Sequence, residues 1–131
     1  RQGFPNLFAC YHRPAYGTLV KPDNEEIRDH WVPLFERYGV DVAFENDHHV
    51  YKRTQPIQKG AVARDGVTYI GDGSWGVDVR EIKWERLRRK PYLVRGESIN
   101  HLISVTLYQD RQEFRAVDKD GKPVDHYVRF P

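Results

Sequence analysis

The chain has 131 residues, of which 39% are hydrophobic, 13% aromatic and 31% charged, with a formal net charge of +2. This length fits one domain at most, and the apolar content suffices for a core, which argues against a disordered chain. The small excess of positive charge does not by itself indicate a nucleic-acid ligand. The single cysteine excludes an internal disulfide framework, and no apolar run approaches the roughly 18 residues of a membrane-spanning helix.

The first half of the chain is predicted to form a strand, a helix and a second strand. Residues 7–11 are a short apolar run that indicates a buried strand, and residues 13–24 have the Pro, Gly and Asp-Asn of a loop that ends at a helix N-cap. Residues 25–38 place their apolar side chains on one helical face, and Pro33 is expected to bend or divide this helix. Residues 40–44 follow with no room for a hairpin, so the two strands are predicted to be parallel in a right-handed βαβ unit.

The second half has the pattern of antiparallel strands. Strands are predicted at residues 67–70, 101–108, 112–117 and 126–130. A glycine-rich turn at 71–76 follows the first of them, and Lys-Asp-Gly-Lys at 119–122 is a hairpin turn. The predicted fold class is therefore α/β, a βαβ unit followed by antiparallel strands, with its layers packed on a mixed sheet.

Polar side chains follow both strands of the βαβ unit. His12 stands just past the first strand, and Asp47, His48 and His49 stand just past the second. Ligands of parallel sheets bind at the carboxyl ends of the strands, so this edge is expected to bring His, Asp and His together. Imidazole and carboxylate suit zinc, manganese or iron. Each residue alone is more typical of a solvated or hydrogen-bonded strand end, and it is their convergence that makes a metal site as good an interpretation as a structural one.

Longer stretches around these residues resemble a known family. They read W-x-P-L-F-E-x-Y-x-V-D-V-x-F at 31–44, H-x-Y-x-R at 49–53, Y-H-R-P-A-Y at 11–16, G-V-T-Y-I-G-D-G at 66–73 and F-R-A-V-D-K-D-G at 114–121. In their order and spacing these stretches are similar to the late part of calcineurin-like metallophosphoesterases, the purple acid phosphatase branch especially. The resemblance implies that the chain is part of a metallophosphoesterase α/β sandwich.

Carried over position by position, the resemblance implies metal ligands. His12 matches the metal-binding His that the family places ahead of a Pro, and His49 matches the second His of its Gly-His-x-His motif. Asp47 stands where that motif has its first His, and Asn46 where it has Gly. An Asp can still ligate a hard divalent metal, so Asp47 either keeps a metal with changed preference or marks a site that has lost one. His48 occupies the variable position, which implies a residue that supports the ligands or faces the substrate and is not itself a ligand.

The resemblance also implies a reaction. Two metal ions (Fe, Mn or Zn) lower the pKa of a bound water, which attacks the phosphorus of a phosphate ester in line. In that scheme His48 is the candidate that protonates the leaving oxygen, and Arg13 and Arg53 are the candidates for contact with the phosphate. For each arginine a solvated or ion-paired surface role is the alternative. The implied function is that of a hydrolase, a metal-dependent phosphatase or phosphoesterase with no membrane partner.

Part of the family's pattern is missing. Its early motifs, Asp-x-His, Gly-Asp-x-x-Asp and Gly-Asn-His-Asp/Glu, are absent from residues 1–11, ahead of His12, and the chain contains no Met. We therefore expect residues 1–131 to be the C-terminal part of a metallophosphoesterase domain in a longer protein, whose N-terminal half supplies the remaining ligands. Alone, this part is expected to bind metal weakly or not at all and to hydrolyse little. A periplasmic or extracellular location is compatible with the longer protein, while the substrate, and monoester or diester preference, are left open.

Two other interpretations stay open. Asp-His-His at 47–49 is also the name motif of the DHH phosphoesterases, another metal-dependent class, although the surrounding residues 31–44 favour the calcineurin-like family. Residues 80–95 are basic and contain Trp84 and Tyr92, so they suit a phosphate backbone. On that interpretation the chain is a non-catalytic nucleic-acid or phosphate-binding module. The competing explanation is a solvated helix or loop whose aromatic side chains anchor it to the core.

Overall fold

The computed structural model describes residues 3–18, 23–71, 73–83, 85 and 90–130. Within these residues the chain forms a pair of short helices, a five-stranded mixed sheet and a three-stranded antiparallel sheet. In chain order the elements are β1 (Phe8–Tyr11), α1 (Glu25–His30), α2 (Val32–Tyr38), β2 (Val42–Glu45), β3 (Tyr51–Thr54), β4 (Ile57–Gln58), β5 (Ala61–Val62), β6 (Thr68–Gly71), β7 (Leu93–Glu97), β8 (His101–Leu107), β9 (Gln112–Asp118) and β10 (Pro123–Arg129). The predicted α/β class is confirmed.

The first four elements form the predicted βαβ unit. Strands β1 and β2 are parallel and adjacent, with Phe8 opposite Val42. Helix α1 begins at Asn24, whose side chain accepts a hydrogen bond from the Ile27 backbone N–H at 3.0 Å, as an N-cap does. The predicted division of the helix is also confirmed, because α2 is a separate segment with Pro33 in its first turn. Backbone N–H groups of the first turn have no partner within the helix, so the N–H that proline lacks is not needed there.

The five-stranded sheet has the order β1-β2-β6-β3-β7. Strand β6 is parallel to β2, so three parallel strands end at one edge, while β3 runs antiparallel to both β6 and β7. The three-stranded sheet is the predicted meander, with the order β10-β9-β8 and a turn at Gly121. Strands β4 and β5 pair with each other as a small hairpin.

Two apolar clusters hold the layers together. On one face of the five-stranded sheet, Ile27 and Val32 from the helices pack with Tyr69 of β6. On the other face, Val42 and Ile70 pack against residues of the three-stranded sheet; the latter are Phe114, Ala116 and Val124. The five-stranded sheet is thus the middle layer, which explains why β2 and β6 are buried along almost their whole length.

Strands β3 and β7 were not among the predicted elements. Residues 51–54 contain adjacent Lys and Arg, yet they form a strand between β6 and β7. The basic stretch 80–95 includes residues 84 and 86–89, which lie outside the described residues, so the predicted helix or loop around Trp84 is not described. The last residues of this stretch, 93–95, belong to β7. No helix among the described residues has both the length and the apolar character that crossing a bilayer requires.

Candidate functional site

The loops after β1 and β2 meet at the carboxyl edge of the parallel strands. The backbone N–H of Asn46 donates to the carbonyl of His12 at 2.9 Å. The Asn46 side-chain amide donates to the carbonyl of Tyr11, also at 2.9 Å. Since Tyr11 lies opposite Glu45 in the register of the sheet, these bonds continue the strand pairing past its end. The residues that follow, His12 and Asp47, therefore leave the sheet side by side.

The side chains of His12 and Asp47 are in contact at this edge. The Nε2 atom of His12 lies 3.4 Å from Oδ1 of Asp47, with 69% of the His12 side chain and 13% of the Asp47 side chain exposed. Both groups are metal ligands by chemistry, an imidazole nitrogen and a carboxylate oxygen. The structure thus brings together two of the three residues predicted to bind metal, and it places them where a ligand at the sheet edge can reach them.

His49 lies two residues beyond Asp47 in a tight turn. Its backbone φ of 57° is in the left-handed region, and its carbonyl accepts from the backbone N–H of Arg80 at 3.1 Å. The ring atom Nδ1 lies 3.2 Å from the carbonyl oxygen of Asp78. Because a carbonyl can only accept, Nδ1 carries the proton in this bond, and Nε2 is the ring nitrogen that keeps a lone pair in the neutral imidazole. Metal-binding histidines are commonly oriented by such a bond from their second nitrogen.

The described residues supply only part of a metal site. Within them, no three side chains of His, Cys, Asp or Glu come together as a metal-binding group. His12 and Asp47 offer one imidazole and one carboxylate, whereas a catalytic zinc keeps three protein ligands and an open position. The donor set therefore fits a metal ion only if further ligands come from outside this set of residues.

His48 points into the interior. The residue is buried, and its Nδ1 accepts from the backbone N–H of Thr18 at 3.3 Å and lies 3.2 Å from the Thr18 hydroxyl. A Cβ on Gly17 would stand 2.3 Å from Cε1 of His48, so any larger residue there would displace the ring. This placement favours a contact that holds the loop over the predicted contact with a leaving oxygen.

Arg53 is engaged with β10. Its Nε donates to Oδ2 of Asp125 at 2.6 Å and its Nη2 to Oδ1 at 3.2 Å, while its guanidinium lies 4.9 Å from the centre of the Tyr127 ring. Burial lowers the pKa of Arg53, but the bonds to Asp125 outweigh it and the pKa is raised. This geometry favours the ion-paired alternative for Arg53. Arg13, next to His12, is exposed.

A buried ion pair next to the site was not predicted. The carboxylate of Glu45 and the ammonium of Lys52 are in direct contact, and neither side chain is exposed. Oε1 of Glu45 accepts from the Tyr11 hydroxyl and from the Ala15 backbone N–H, each at 2.6 Å. Burial and the neighbouring Glu45 raise the pKa of Tyr11 above its usual value. The only local signal was opposite charges at the two ends of a polar turn.

The glycine-rich turn borders the same edge. A Cβ on Gly73 would stand 2.5 Å from the carbonyl oxygen of Asn46, which shows how closely the two backbones approach. Further along, the guanidinium of Arg80 donates to the carbonyl of Asp47 at 3.1 Å. His49 and Arg80 line a surface cavity of about 730 Å³ together with Asn100. The loop after β6 thus forms one wall of the candidate site.

Sequence comparison finds relatives of no stated function. No protein-family model matches the chain. Two curated proteins, from two strains of Mycobacterium tuberculosis and both described as uncharacterized, are 32% identical to it over 92 residues. This match covers 69% of the chain and 16% of each relative, so the chain spans only a small part of their length.

Structure comparison identifies the fold. A purple acid phosphatase isolated from yellow lupin (Lupinus luteus) seeds superimposes with a TM-score of 0.75 and 18% identity, over 95% of this chain and 24% of that one. GAP50, described as the anchor in the inner membrane complex of Plasmodium, superimposes with a TM-score of 0.73 and 13% identity, over 91% of this chain and 34% of that one. The chain has a metallophosphoesterase-like fold.

Proposed function

We propose that the chain is the C-terminal part of a metal-dependent phosphoesterase of the purple acid phosphatase type. The observation that carries the proposal is the His12–Asp47 pair, 3.4 Å apart at the carboxyl edge of the parallel strands. That pair lies in a chain whose fold superimposes on a purple acid phosphatase. Fold likeness alone does not imply an activity, which depends on the side chains at this edge.

Three residues of the chain would contribute to the metal centre. His12 and Asp47 point to one another, and a metal ion between an imidazole and a carboxylate would replace their direct contact. His49 would contribute Nε2, the ring nitrogen that is not bonded to the Asp78 carbonyl. The remaining ligands would come from the preceding part of the longer protein. When bound, two ions of Fe, Mn or Zn lower the pKa of a bound water and polarise the phosphate.

The substrate class that suits this site is a phosphate ester. Arg13 adjoins His12 and is exposed, so it is the better placed of the two candidate arginines for contact with a phosphate oxygen. Arg53 is held by both oxygens of Asp125, and contact with substrate would require this pair to break. Arg13 is therefore the arginine that we assign to the substrate.

The test is hydrolysis of an aryl phosphate by the full-length protein with added Mn²⁺ or Fe²⁺. Loss of an outer residue that orients a metal ligand already costs about 10- to 100-fold in affinity or activity, so we expect His12→Ala, Asp47→Ala and His49→Ala each to lose about 100-fold or more. The matched control is His30→Ala, which removes an exposed imidazole from α1 and should leave the rate unchanged. An unaltered rate in His49→Ala would remove that residue from the site, and a full-length protein without metal-dependent hydrolysis would refute the proposal.

A further inference from the structure

The turn that carries Asp47 and His49 lies between two residues that contact each other. Glu45 ends β2 just before the turn, and Lys52 is the second residue of β3 just after it. Their carboxylate and ammonium groups are in contact and wholly buried. Removing two charges from water is costly, and such a pair is weak support for stability by itself. Its presence beside the candidate site therefore calls for another explanation.

The same pair also holds the loop that follows His12. Oε1 of Glu45 accepts from the backbone N–H of Ala15 at 2.6 Å, and the Lys52 ammonium donates to the carbonyl of Tyr16. Further along the same loop, the backbone N–H of Thr18 donates to Nδ1 of His48, which belongs to the turn. Three side chains from the turn and its flanks thus bind three residues of the loop, Ala15, Tyr16 and Thr18. None of these contacts involves the exposed ring of His12 itself.

We infer that Glu45, Lys52 and His48 are positioning residues, which set residues 12–18 relative to the Asp47–His49 turn. The inference rests on the proposed function, because it concerns the geometry of that site. His12 and Asp47 sit on different loops, and the shared edge of β1 and β2 fixes only where each loop starts. Their 3.4 Å contact also needs the loops to keep one relative orientation beyond the strand ends. The buried contacts of Glu45, Lys52 and His48 supply that constraint, since they join the same two loops in the interior of the protein.

The chain offers a matched control for this inference. Asp41, just before the other end of β2, is also fully buried, and its Oδ1 lies 3.4 Å from Nε of Arg129. Lys52→Met and Arg129→Met each replace a long cation, beside a buried carboxylate, by a neutral side chain. The first change lies at the carboxyl end of β2, next to the site, and the second at the amino end. A general loss of stability would follow from either, whereas displacement of the 12–18 loop should follow only from Lys52→Met.

Hydrogen exchange of the full-length protein gives a readout that needs no metal. On the peptide that covers residues 12–18, Lys52→Met should speed exchange of the Ala15 and Tyr16 amides about tenfold or more, because Glu45 then no longer holds one orientation. Arg129→Met should change these amides no more than it changes the rest of β2. If Lys52→Met does not fold, the neutral double variant Glu45→Gln/Lys52→Met avoids an unpaired buried charge and takes its place. Equal effects of Lys52→Met and Arg129→Met on the peptide would overturn the inference.

The second readout is catalysis by the same full-length variants. Lys52→Met should lower kcat about tenfold with KM changed less than threefold, and Arg129→Met should keep kcat within twofold at a temperature where both are folded. A kcat that follows only the fraction folded in both variants would mean that the pair is merely structural. If the wild-type protein neither binds Mn²⁺ nor hydrolyses an aryl phosphate, the proposed function fails. The exchange comparison still decides the positioning inference in that case.

Discussion

Asp125 is a residue at which the two sheets are joined by polar contacts. On β10, it accepts from Arg53 and from the Tyr51 hydroxyl, the latter at 2.8 Å, so it receives two side chains from β3. Burial alone would raise the pKa of Asp125, but the hydrogen bonds from Arg53 and Tyr51 outweigh it, and the pKa is lowered. The folded state therefore favours the charged carboxylate more than the unfolded chain does.

This lowered pKa predicts how the stability of the 131-residue chain depends on pH. A depressed carboxyl pKa adds stability above the unfolded value of about 3.9, and this contribution is lost as the pH falls through the folded pKa. Asp125→Asn should lower the free energy of unfolding by about 1–3 kcal/mol at pH 7, as expected for hydrogen bonds to a charged group. The difference from wild type should shrink below about pH 4 in urea titrations. Asp110→Asn, at an exposed position, is the control, and a pH-independent difference would contradict the account.

At the level of elements, local patterns predicted β1, the two helices and β2, because each depends on residues close together in the chain. The break ahead of Pro33 depends on one residue and was predictable for the same reason. Strand β3 was not, since Lys52 and Arg53 resemble surface residues in the sequence. These two side chains can be buried because each has an acidic partner, Glu45 across the turn for Lys52 and Asp125 on the last strand for Arg53. A charged strand can be buried only with such partners, and a local pattern does not contain them.

The same limit applied to the site. His12 and Asp47 were predictable because each follows a strand that its own neighbours specify, and parallel pairing then brings the two loops to one edge. The direction of the His48 ring depends on Thr18, and the tautomer of His49 depends on the carbonyl of Asp78. Both partners are about thirty residues away in sequence and are fixed only by the tertiary fold. The side chains that reach this edge were therefore predictable, while the orientations of their rings were not.

Strands β2 and β6 approach each other closely just below the site. Gly71 ends β6 with φ of 136°, and a Cβ there would stand 2.1 Å from the carbonyl oxygen of Glu45. Gly121, in the β9–β10 turn, also has positive φ, 79°, but a Cβ there meets no atom within 4 Å. Gly121→Ala should thus cost only the backbone term, about 1–2 kcal/mol. Gly71→Ala adds a backbone clash and should cost more than about 4 kcal/mol, a loss that is exceptional for one substitution.

The two glycine variants are compared by urea denaturation of the same chain. Both replace a positive-φ glycine by alanine, and the larger loss expected for Gly71→Ala combines the close approach of the two strands with a φ of 136° that alanine tolerates less well than 79°. Equal losses for Gly71→Ala and Gly121→Ala would show that β2 can move away from β6 at little cost. The turn after β2 would then be less rigidly held than the contacts of Glu45 indicate.

For the molecule as a whole, the fold does not decide what the protein does. The same architecture superimposes on a purple acid phosphatase and on a protein described as an anchor. What distinguishes such proteins must therefore lie in the side chains and loops that the sheets present, not in the layers themselves. In this chain the layers bring His12 and Asp47 to one edge and bury Glu45 and Lys52 behind them. Any activity of the protein therefore depends on the side chains at that edge.

The packing of the two sheets sets the stability on which the edge depends. The Phe114 ring of β9 is buried, and its centre lies 6.1 Å from that of Phe8 and 6.2 Å from that of Phe44, both in the five-stranded sheet. Phe114→Ala should therefore lower the free energy of unfolding by about 3–5 kcal/mol. Leu102→Ala, on β8 and half-exposed, should cost less than about 1 kcal/mol.

Because Phe114 joins the layers, its loss should destabilise both sheets together. Hydrogen exchange in Phe114→Ala should accelerate by a similar factor for the slowest amides of β2, in the middle layer, and of β9, in the outer one. Leu102→Ala gives the reference rates for a chain with its inter-sheet contacts intact. Faster exchange in β9 alone would instead show that the three-stranded sheet opens as a separate unit. In that case the residues at the carboxyl edge would keep their geometry without the outer sheet, since β1, β2 and β6 pair with one another and not with β9.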